Sequence, residues 1–412
     1  MSKQQNHITV FEHEVLRIDR GEKKITPDQL NALQLYYGKG LPYYNLVYNG
    51  VQFNEHVGVI QVGDTVIEVL PKADRLDNDK NKWREILIDM LKAIGTFDVA
   101  ATSNSRLKIK PNSILDLYFK LFIEEVEYLM HTGLVKKYRK TEANVTALKG
   151  SLLFGKHIQR NLVHQERFYV RQTCYDVQHP IHCILYKAIL LLKKINTNSA
   201  LQSGIGNLLL SFPEMPDVKI SEGTFSKIVY DRKTLVYKKA IEIARLLLLQ
   251  YHPDVSKGRN HVLALMFDMN MLWEQFVYAS LRKHKTVGAI ITPQANKYFW
   301  KPLNGKRSRI QPDIWIKKDF HSYILDTKWK NLNGYNPSPE DLRQLFVYHE
   351  YYTAVRVALV YPGIKSITKG NFLSPVTQNS SDKECSVISL EVISDVREWQ
   401  KEIAKIFNDW IA

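Results

Sequence analysis

From residue 8 to about 72, apolar and polar positions alternate in short runs: ITVFEHEVLRI, YYNLVYNGVQF and HVGVIQVGDTVIEVLP. A period of two turns one side of an extended chain toward a core and the other toward solvent, so these runs predict β-strands. Asn49-Gly50 and Gly63-Asp64 fall between them, and residues of these types accept the positive φ that tight hairpins need. The charged segment KADRLDNDKNK, residues 72–82, reads as a solvated connector. Beyond it the apolar spacing changes to three and four. WREILIDMLKAI starts a helical region, and NSILDLYFKLFIEEVEYLMHTGL predicts a second helix with Asn112 or Ser113 as its cap and Gly133 as its stop. Further helices are expected at 180–194 and 234–251. From HVLALMFDMNMLWEQFVYASLRK onward the order becomes helix, strands, helix, strand, as in an α/β unit. The terminal DVREWQKEIAKIFNDWI is an amphipathic helix whose Trp399, Ile403, Ile406 and Trp410 share a stripe suited to core packing. The expected architecture is α+β and multidomain: a β-rich domain over 1–80, a mainly helical middle region over 81–255 and an α/β domain over 256–412.

A chain of 412 residues exceeds what a single hydrophobic core ordinarily serves, which agrees with several domains. Its formal net charge of +15 favours polyanionic partners, because phosphates gain from neutralisation by Lys and Arg and release counterions. Cys174, Cys183 and Cys385 are odd in number and widely spaced, which excludes a disulfide framework and a CxxC zinc site. The opening MSKQQNHITVFEHEV has no apolar signal core, and the longest apolar run, ARLLLLQY at 244–251, is too short to span a bilayer. A cytoplasmic protein without membrane association is expected.

GSLLFGKH at 150–157 nearly spells a nucleotide-binding loop. His157 stands where that chemistry needs a Ser or Thr hydroxyl for magnesium, and Leu152, Leu153 and Phe154 make a poor phosphate cradle. The segment reads instead as a turn entering a helix.

The chemistry concentrates in QPDIWIKKDFHSYILDTKWK, residues 311–330. It reads as two strands folded back at KKDFH, with Asp313 on the first and Asp326 and Lys328 on one side of the second. Two desolvated carboxylates repel one another and each costs several kcal/mol unless compensated. A divalent cation supplies that compensation, and Mg2+ prefers oxygen ligands, keeps waters and bridges carboxylates to a substrate phosphate. Lys328 beside it would orient or help deprotonate a water, or steady charge developing on phosphorus. A cross-strand Asp313–Lys328 ion pair with Asp326 toward solvent is the plain structural alternative.

Three further features weigh on that choice. Glu274 falls in line with Phe267, Met271, Tyr278 and Leu281 by three- and four-residue steps, a carboxylate on an apolar stripe in need of a partner. SPEDLRQLFVYHEYY opens with Ser338 as N-cap, Pro339 in the first helical position and Glu340 and Asp341 in the first turn, which sets Gln344 and Tyr348 one above the other. Between 297 and 330, cations including Lys306, Arg307, Arg309 and Lys330 outnumber acids and interleave with aromatic residues, as suits a nucleic-acid surface.

In this order, Glu274, Pro312-Asp313, Asp326-Thr327-Lys328 and the Gln344/Tyr348 pair resemble the PD-(D/E)xK nuclease superfamily and the QxxxY helix of its RecB-like branch. FDMNMLWEQFV, VGVIQVGDTVIEVLPK and GLVKKYRKTEANVTALKGSL extend the likeness over nearly the whole chain to the McrC family, the nuclease subunit of modified-cytosine restriction systems. The chain departs from that family at Gln178 and His182, where Asp and Asn are usual. The resemblance implies a restriction-endonuclease-like C-terminal domain that cleaves DNA in a defence complex. It also implies a McrB-like AAA+ GTPase partner, a hexameric ring that docks on the β-rich N-terminal domain and has its nucleotide hydrolysis stimulated there. By the same resemblance Asp313, Asp326 and Glu274 hold Mg2+, Lys328 serves the attacking water, and Gln344 and Tyr348 support the site; the basic, aromatic-rich run makes Lys306, Arg307, Arg309 and Lys330 the expected contacts to DNA. Two other readings keep the same basic charge: a non-catalytic adaptor that docks on a motor ring and binds DNA, and a stand-alone nuclease. Only the enzyme readings use the complete acid, acid, lysine set.

Overall fold

Short strands joined at turn residues build the N-terminal part, as the alternating pattern predicts. They are β1 (Asn6–Phe11), β2 (Val15–Arg17), β3 (Tyr44–Val47), β4 (Gly50–Phe53), β5 (His56–Val62) and β6 (Thr65–Leu70), with helix α1 (Pro27–Tyr37) between β2 and β3. β6 lies between β1, which is parallel to it, and β5, which is antiparallel. β4 lies antiparallel to both β2 and β3. Val47 pairs with Gly50, so the tight loop is Tyr48–Asn49, with Asn49 at φ 55°. Gly50 therefore belongs to the strand, one position beyond the expected turn. A Cβ there would lie 2.2 Å from the Leu16 carbonyl oxygen, so the close approach of β2 demands glycine. Gly63 and Asp64 form the other two-residue loop, between Val62 and Thr65. Helix α2 (Lys80–Ala93) begins inside the expected connector, because Asp79 accepts from the backbone N–H groups of Asn81 and Lys82.

The computed structural model describes residues 6–37, 43–73, 77–94, 113–252, 261–330, 332, 334, 336–374 and 376–412. Asn112, part of the connector and the boundary expected at 255/256 lie outside the described residues. The chain divides into two compact units. One comprises Met1–Gln5 with Pro111–Leu265, and the other Asn6–Lys110 with Met266–Ala412.

The middle unit contains α3 (Ile114–Thr132), capped by Ser113 and ended at Gly133 with φ 87°. There follow β7 (Lys137–Val145), β8 (Ser151–Leu152), α4 (Phe154–Asn161), β9 (Phe168–Asp176), α5 (Pro180–Ile195), α6 (Ser199–Ser211) and α7 (Glu222–Ser226). A 3-10 turn at Leu235–Tyr237 leads into α8 (Lys238–Leu249), then β10 (Tyr251–His252) and β11 (Val262–Asp268), whose residues from Met266 on belong to the other unit. Among the described residues this region is mainly helical, as expected, and it also holds a three-stranded antiparallel sheet, β7-β9-β8, that the sequence pattern did not announce. Its strands carry charge on both faces, so an apolar period of two is faint. Cross-strand pairs supply the order instead: Arg139 with Asp176 at 2.8 Å, Arg171 with Glu142 at 2.9 Å, and Tyr138 and Tyr175 rings 4.6 Å apart. GSLLFGKH does turn into a helix, α4, and Lys156 pairs with Glu142. His182, one of the two departures from the resembled family, is fully buried in α5. Its Nδ1 lies 2.5 Å from the Val177 carbonyl and its Nε2 3.2 Å from the Tyr237 hydroxyl, and burial lowers its pKa to about 4. It is a neutral, satisfied core histidine.

The C-terminal part comprises α9 (Met269–Lys283), β12 (Ile290–Pro293), β13 (Lys297–Trp300), β14 (Ser308–Ile310), β15 (Ile314–Lys318) and β16 (His321–Thr327). It continues with α10 (Pro339–Tyr351), β17 (Arg356–Pro362), β18 (Ser366–Leu373), β19 (Ser380–Leu390) and α11 (Val396–Trp410). Six strands form a mixed sheet in the order β12-β15-β16-β17-β19-β18, parallel where β17 meets β16 and β19. Helix α10 connects β16 to β17 and packs on both, whereas α9 contacts β16 and α11 packs on α9. The expected Trp399, Ile403, Ile406 and Trp410 stripe is buried, with the Trp399 ring 5.5 Å from Trp273 and 4.7 Å from Phe276. The stripe expected to contain Glu274 is not seen. Asp268 caps α9 so that Phe267 stays in β11, and Met271 is 54% exposed. The buried face is Met269, Leu272, Trp273, Phe276, Val277, Ser280 and Leu281, so Leu281 alone of the expected stripe is buried, and Glu274 lies at the edge of that face.

One polar link joins the N-terminal strands to the C-terminal sheet within their shared unit. Glu12 is buried, and its Oε1 accepts from the Lys72 backbone N–H at 2.7 Å and from the Trp329 indole at 2.8 Å. Burial pushes the Glu12 carboxyl up to about 7 from its ordinary 4.5. A carboxyl raised on folding contributes stability fully below 4.5, and that contribution is lost as pH rises toward 7. Glu12→Gln keeps an acceptor oxygen without the charge. Its melting temperature relative to wild type should therefore improve by a few degrees between pH 5 and pH 8, measured by thermal denaturation. An offset that is the same at both pH values would show that Glu12 does not titrate there.

Candidate active site

β15 and β16 fold back through Asp319 and Phe320, both left-handed at φ 48° and 66°, between the paired Lys318 and His321. Two successive positive φ values are the signature of a type I′ turn, whose twist suits a tight hairpin. The turn sets the register: Ile314 faces Leu325, so the next position toward the open end brings Asp313 beside Asp326. Past Thr327 the chain is held to β17 by the Lys328 N–H, which donates to the Val360 carbonyl at 2.9 Å.

Asp313 Oδ2 accepts from the Thr327 N–H at 2.6 Å and from the Thr327 hydroxyl at 2.8 Å. Asp326 is 1% exposed, and neither of its oxygens accepts a well-aligned hydrogen bond, although Oδ2 lies 2.8 Å from Lys328 Nζ. Burial and the neighbouring Asp313 push Asp326 up to about 6 against the opposing pull of Lys328. Burial also raises Asp313, opposed by its bonds from Thr327. For Lys328, burial lowers the pKa, but the attraction of Asp326, Asp313 and Asp341 outweighs it and leaves the amine raised, a cation at neutral pH. The ion pair is thus Lys328 with Asp326, and the expected alternative of an Asp313–Lys328 pair with a solvent-facing Asp326 does not describe the site.

Glu274, half-buried on α9, is pushed up to about 7 by burial and by Asp313, with a side-chain hydrogen bond from Gln294 and the distant pull of Lys328 in opposition. Gln294 has φ 45° just after β12, and its N–H donates to the Asp313 carbonyl at 2.9 Å. It thus braces Asp313 through the backbone and Glu274 through its side chain. On α10, started by Ser338 as expected, Gln344 Nε2 donates to the Tyr348 hydroxyl at 2.7 Å, which in turn donates to the Gln311 carbonyl at 2.9 Å. Burial holds Tyr348 above the ordinary phenol range, so it stays a hydrogen-bond donor. The Gln344/Tyr348 pair therefore anchors the chain two residues before Asp313.

The remaining sequence-expected residues divide. Lys306, Arg307 and Arg309 are exposed on and beside β14, whereas the Lys330 ammonium is paired with Asp341 at 2.7 Å. Sequence reasoning passed over Thr327, Gln294 and Asp341. Thr327 could have been noticed as the residue enclosed by Asp326 and Lys328, but nothing in sequence marks Gln294.

Among the described residues, no three His, Cys, Asp or Glu side chains form a ready cage for an ion. Asp326 nevertheless fits a hard cation: it is a buried acid with an unpartnered oxygen, beside a second acid whose Oδ2 alone is engaged. Mg2+ asks for only one or two protein carboxylates and takes its other ligands from water and phosphate.

A family model described as McrBC 5-methylcytosine restriction system component matches residues 51–362, a span that includes Glu274, Asp313, Asp326, Lys328, Gln344 and Tyr348. Comparison with curated proteins finds no match. Among solved structures, a half-complex from the tetradecameric assembly of Thermococcus gammatolerans McrB AAA+ hexamers with bound McrC is similar with a TM-score of 0.72 at 20% identity, covering 98% of this chain and 100% of that one. The cryo-EM structure of the Thermococcus gammatolerans McrBC complex is similar with a TM-score of 0.50, also at 20% identity, covering 68% of this chain and 88% of that one. At such identities the likeness speaks to the fold, and the family match spans well over half of the chain. The chain belongs to the McrBC 5-methylcytosine restriction system component family.

Proposed function

We propose that this chain is the Mg2+-dependent DNA endonuclease subunit of a restriction complex, with a PD-(D/E)xK site. The observation that carries this reading is Asp326: a desolvated acid with an unpartnered oxygen, next to Asp313 and ion-paired with Lys328 at 2.8 Å. Such a cluster is costly for a fold to keep unless a ligand uses it. Asp313 and Asp326 would hold the metal, with Glu274 as an accessory carboxylate. When bound, Mg2+ supplies a lowered pKa for water and neutralisation of phosphate charge. Lys328, kept cationic by Asp326, acts as a positive group beside the phosphate rather than as a free base. Gln344 and Tyr348 hold Gln311, and with it the approach to Asp313.

One of the similar solved structures contains McrB AAA+ hexamers with bound McrC. By that likeness we assign this chain a AAA+ GTPase partner, docked on its N-terminal strands and stimulated by them. The buried bond between Glu12 and Trp329, which follows Lys328 directly, supports a connection from those strands to the site.

With the partner present, Asp326→Asn and Lys328→Ala should each slow DNA cleavage on the order of 10²–10³-fold, as loss of a group that stabilises transition-state charge does. Partner nucleotide hydrolysis should be unchanged. Cleavage at the wild-type rate by either variant would show that the site is assigned to the wrong residues. The raised carboxyls, Asp326 at about 6 and Glu274 at about 7, must lose protons for metal to bind. Calorimetric Mg2+ affinity should therefore be weak at pH 5.5, grow as pH rises through 6 and 7, and vanish in Asp313→Ala at every pH.

A further inference from the structure

β13 and β14 form a two-stranded sheet of their own, with Lys297 facing Ile310, Tyr298 facing Arg309 and Trp300 facing Ser308. A hairpin ordinarily buries one face. Here every residue of β13 is exposed: Tyr298 by 53%, Phe299 by 45% and Trp300 by 58%. Leu303, in the loop over 301–307 that also contains Gly305 at φ 115°, is fully exposed. Residues 297–310 carry Lys297, Lys301, Lys306, Arg307 and Arg309 and no acid. Exposed aromatic and aliphatic groups among cations of one sign fit a polyanion whose interior is a stack of flat rings.

The arm is stiff and its root is fixed. The Arg307 and Arg309 guanidiniums lie 5.2 and 4.9 Å from the centre of the Tyr298 ring, and Arg309 donates to the Tyr298 hydroxyl at 3.0 Å. At the base, the Tyr352 hydroxyl lies 2.6 Å from the Ala295 carbonyl and 3.3 Å from that of Ile310, and Lys297 Nζ donates to the Tyr351 carbonyl at 2.7 Å. These braces come from α10 and the residue after it, the helix that also carries Gln344 and Tyr348. Ile310, the last residue of β14, is followed at once by Gln311, Pro312 and Asp313. Whatever the arm grips is therefore held in fixed relation to the acid pair, which singles out the phosphodiester substrate over a protein surface.

From these features we infer that the hairpin of residues 297–310 is a wedge for duplex DNA: Trp300 and Leu303 enter between base pairs and distort the helix while Lys306 and Arg307 hold its phosphates. The inference rests on the nuclease reading for the identity of its substrate, and it adds how the duplex is deformed at the site. Its consequence is a preference for flexible or unstacked steps, which cost least to open.

The test uses the full chain without divalent cation, so that no cleavage contributes. Duplex DNA carries 2-aminopurine at its centre and a fluorescence-transfer pair at its ends. Wild type should raise the 2-aminopurine signal and shorten the end-to-end distance. Trp300→Ala/Leu303→Ala, which alters only exposed side chains, should bind within about 3-fold of wild type yet abolish both signals. Lys306→Ala/Arg307→Ala should weaken binding and reduce the slope of log affinity against log salt by about 1–2, the loss expected for two phosphate contacts. No distortion by wild type, or equal distortion by the Trp300/Leu303 variant, overturns the wedge. A chain that distorts DNA but cuts none when Mg2+ and partner are added supports the wedge and overturns the nuclease reading. One that cuts normally with the arm variant undistorting overturns the wedge alone as a part of the cleavage site.

Discussion

Two carboxylates and an amine share the open end of a hairpin, where water is largely excluded. Desolvation works against all three charges: at Lys328 the attraction of the acids outweighs it, whereas Asp313 stays raised even with the Thr327 N–H and hydroxyl on its Oδ2. Asp326 receives one lysine, and Glu274 one glutamine side chain. The surrounding elements make sense as supports for this imbalance. β17 grips the backbone of Lys328, Tyr348 grips Gln311, and Gln294 grips the Asp313 carbonyl. Each brace fixes the main chain and leaves the carboxyl oxygens of Asp326 without alternative partners, the condition under which an ion or a phosphate gains most from entering.

The same economy appears at the Trp329 position. Its N–H donates to Asn270 Oδ1 at 3.0 Å, its indole donates to Glu12, and its ring lies 5.5 Å from Trp273. Two segments far apart in sequence, one at Glu12 and the other in α9, thereby converge on the residue after Lys328. A displacement of the N-terminal strands would act on Trp329 through a short buried hydrogen bond rather than through a loose surface, and buried bonds resist stretching more than exposed ones do. This is the physical basis for expecting a signal from a partner on those strands to reach the site.

Charge serves different ends in different places. In β7 and β9 the cations face acids across the ladder and help hold a polar sheet together. Residues 297–310 include no acid, and Arg307 and Arg309 stack on the Tyr298 ring instead. Lys330 belongs to the first kind, since Asp341 already neutralises it. A uniform count of basic residues hides this division, which depends on what lies across each strand.

Local pattern determined much of this chain. Side-chain alternation set the N-terminal strands, the Ser338 and Ser113 caps set two helix starts, and the spacing of Asp313, Asp326 and Lys328 about a turn placed three charges at one end of a hairpin. These are short-range matters of φ, capping and period, so neighbouring residues suffice to decide them. The β7-β9-β8 sheet escaped because its strands are held by charges opposite one another across the ladder, and no segment contains its own partner. Glu274 beside the buried stripe of α9, the grip of Gln294 on Asp313, the tie between Lys330 and Asp341, and the bond from Glu12 to Trp329 were decided only in three dimensions. Each depends on which distant segment arrives at a given place, and on how much water that arrival removes.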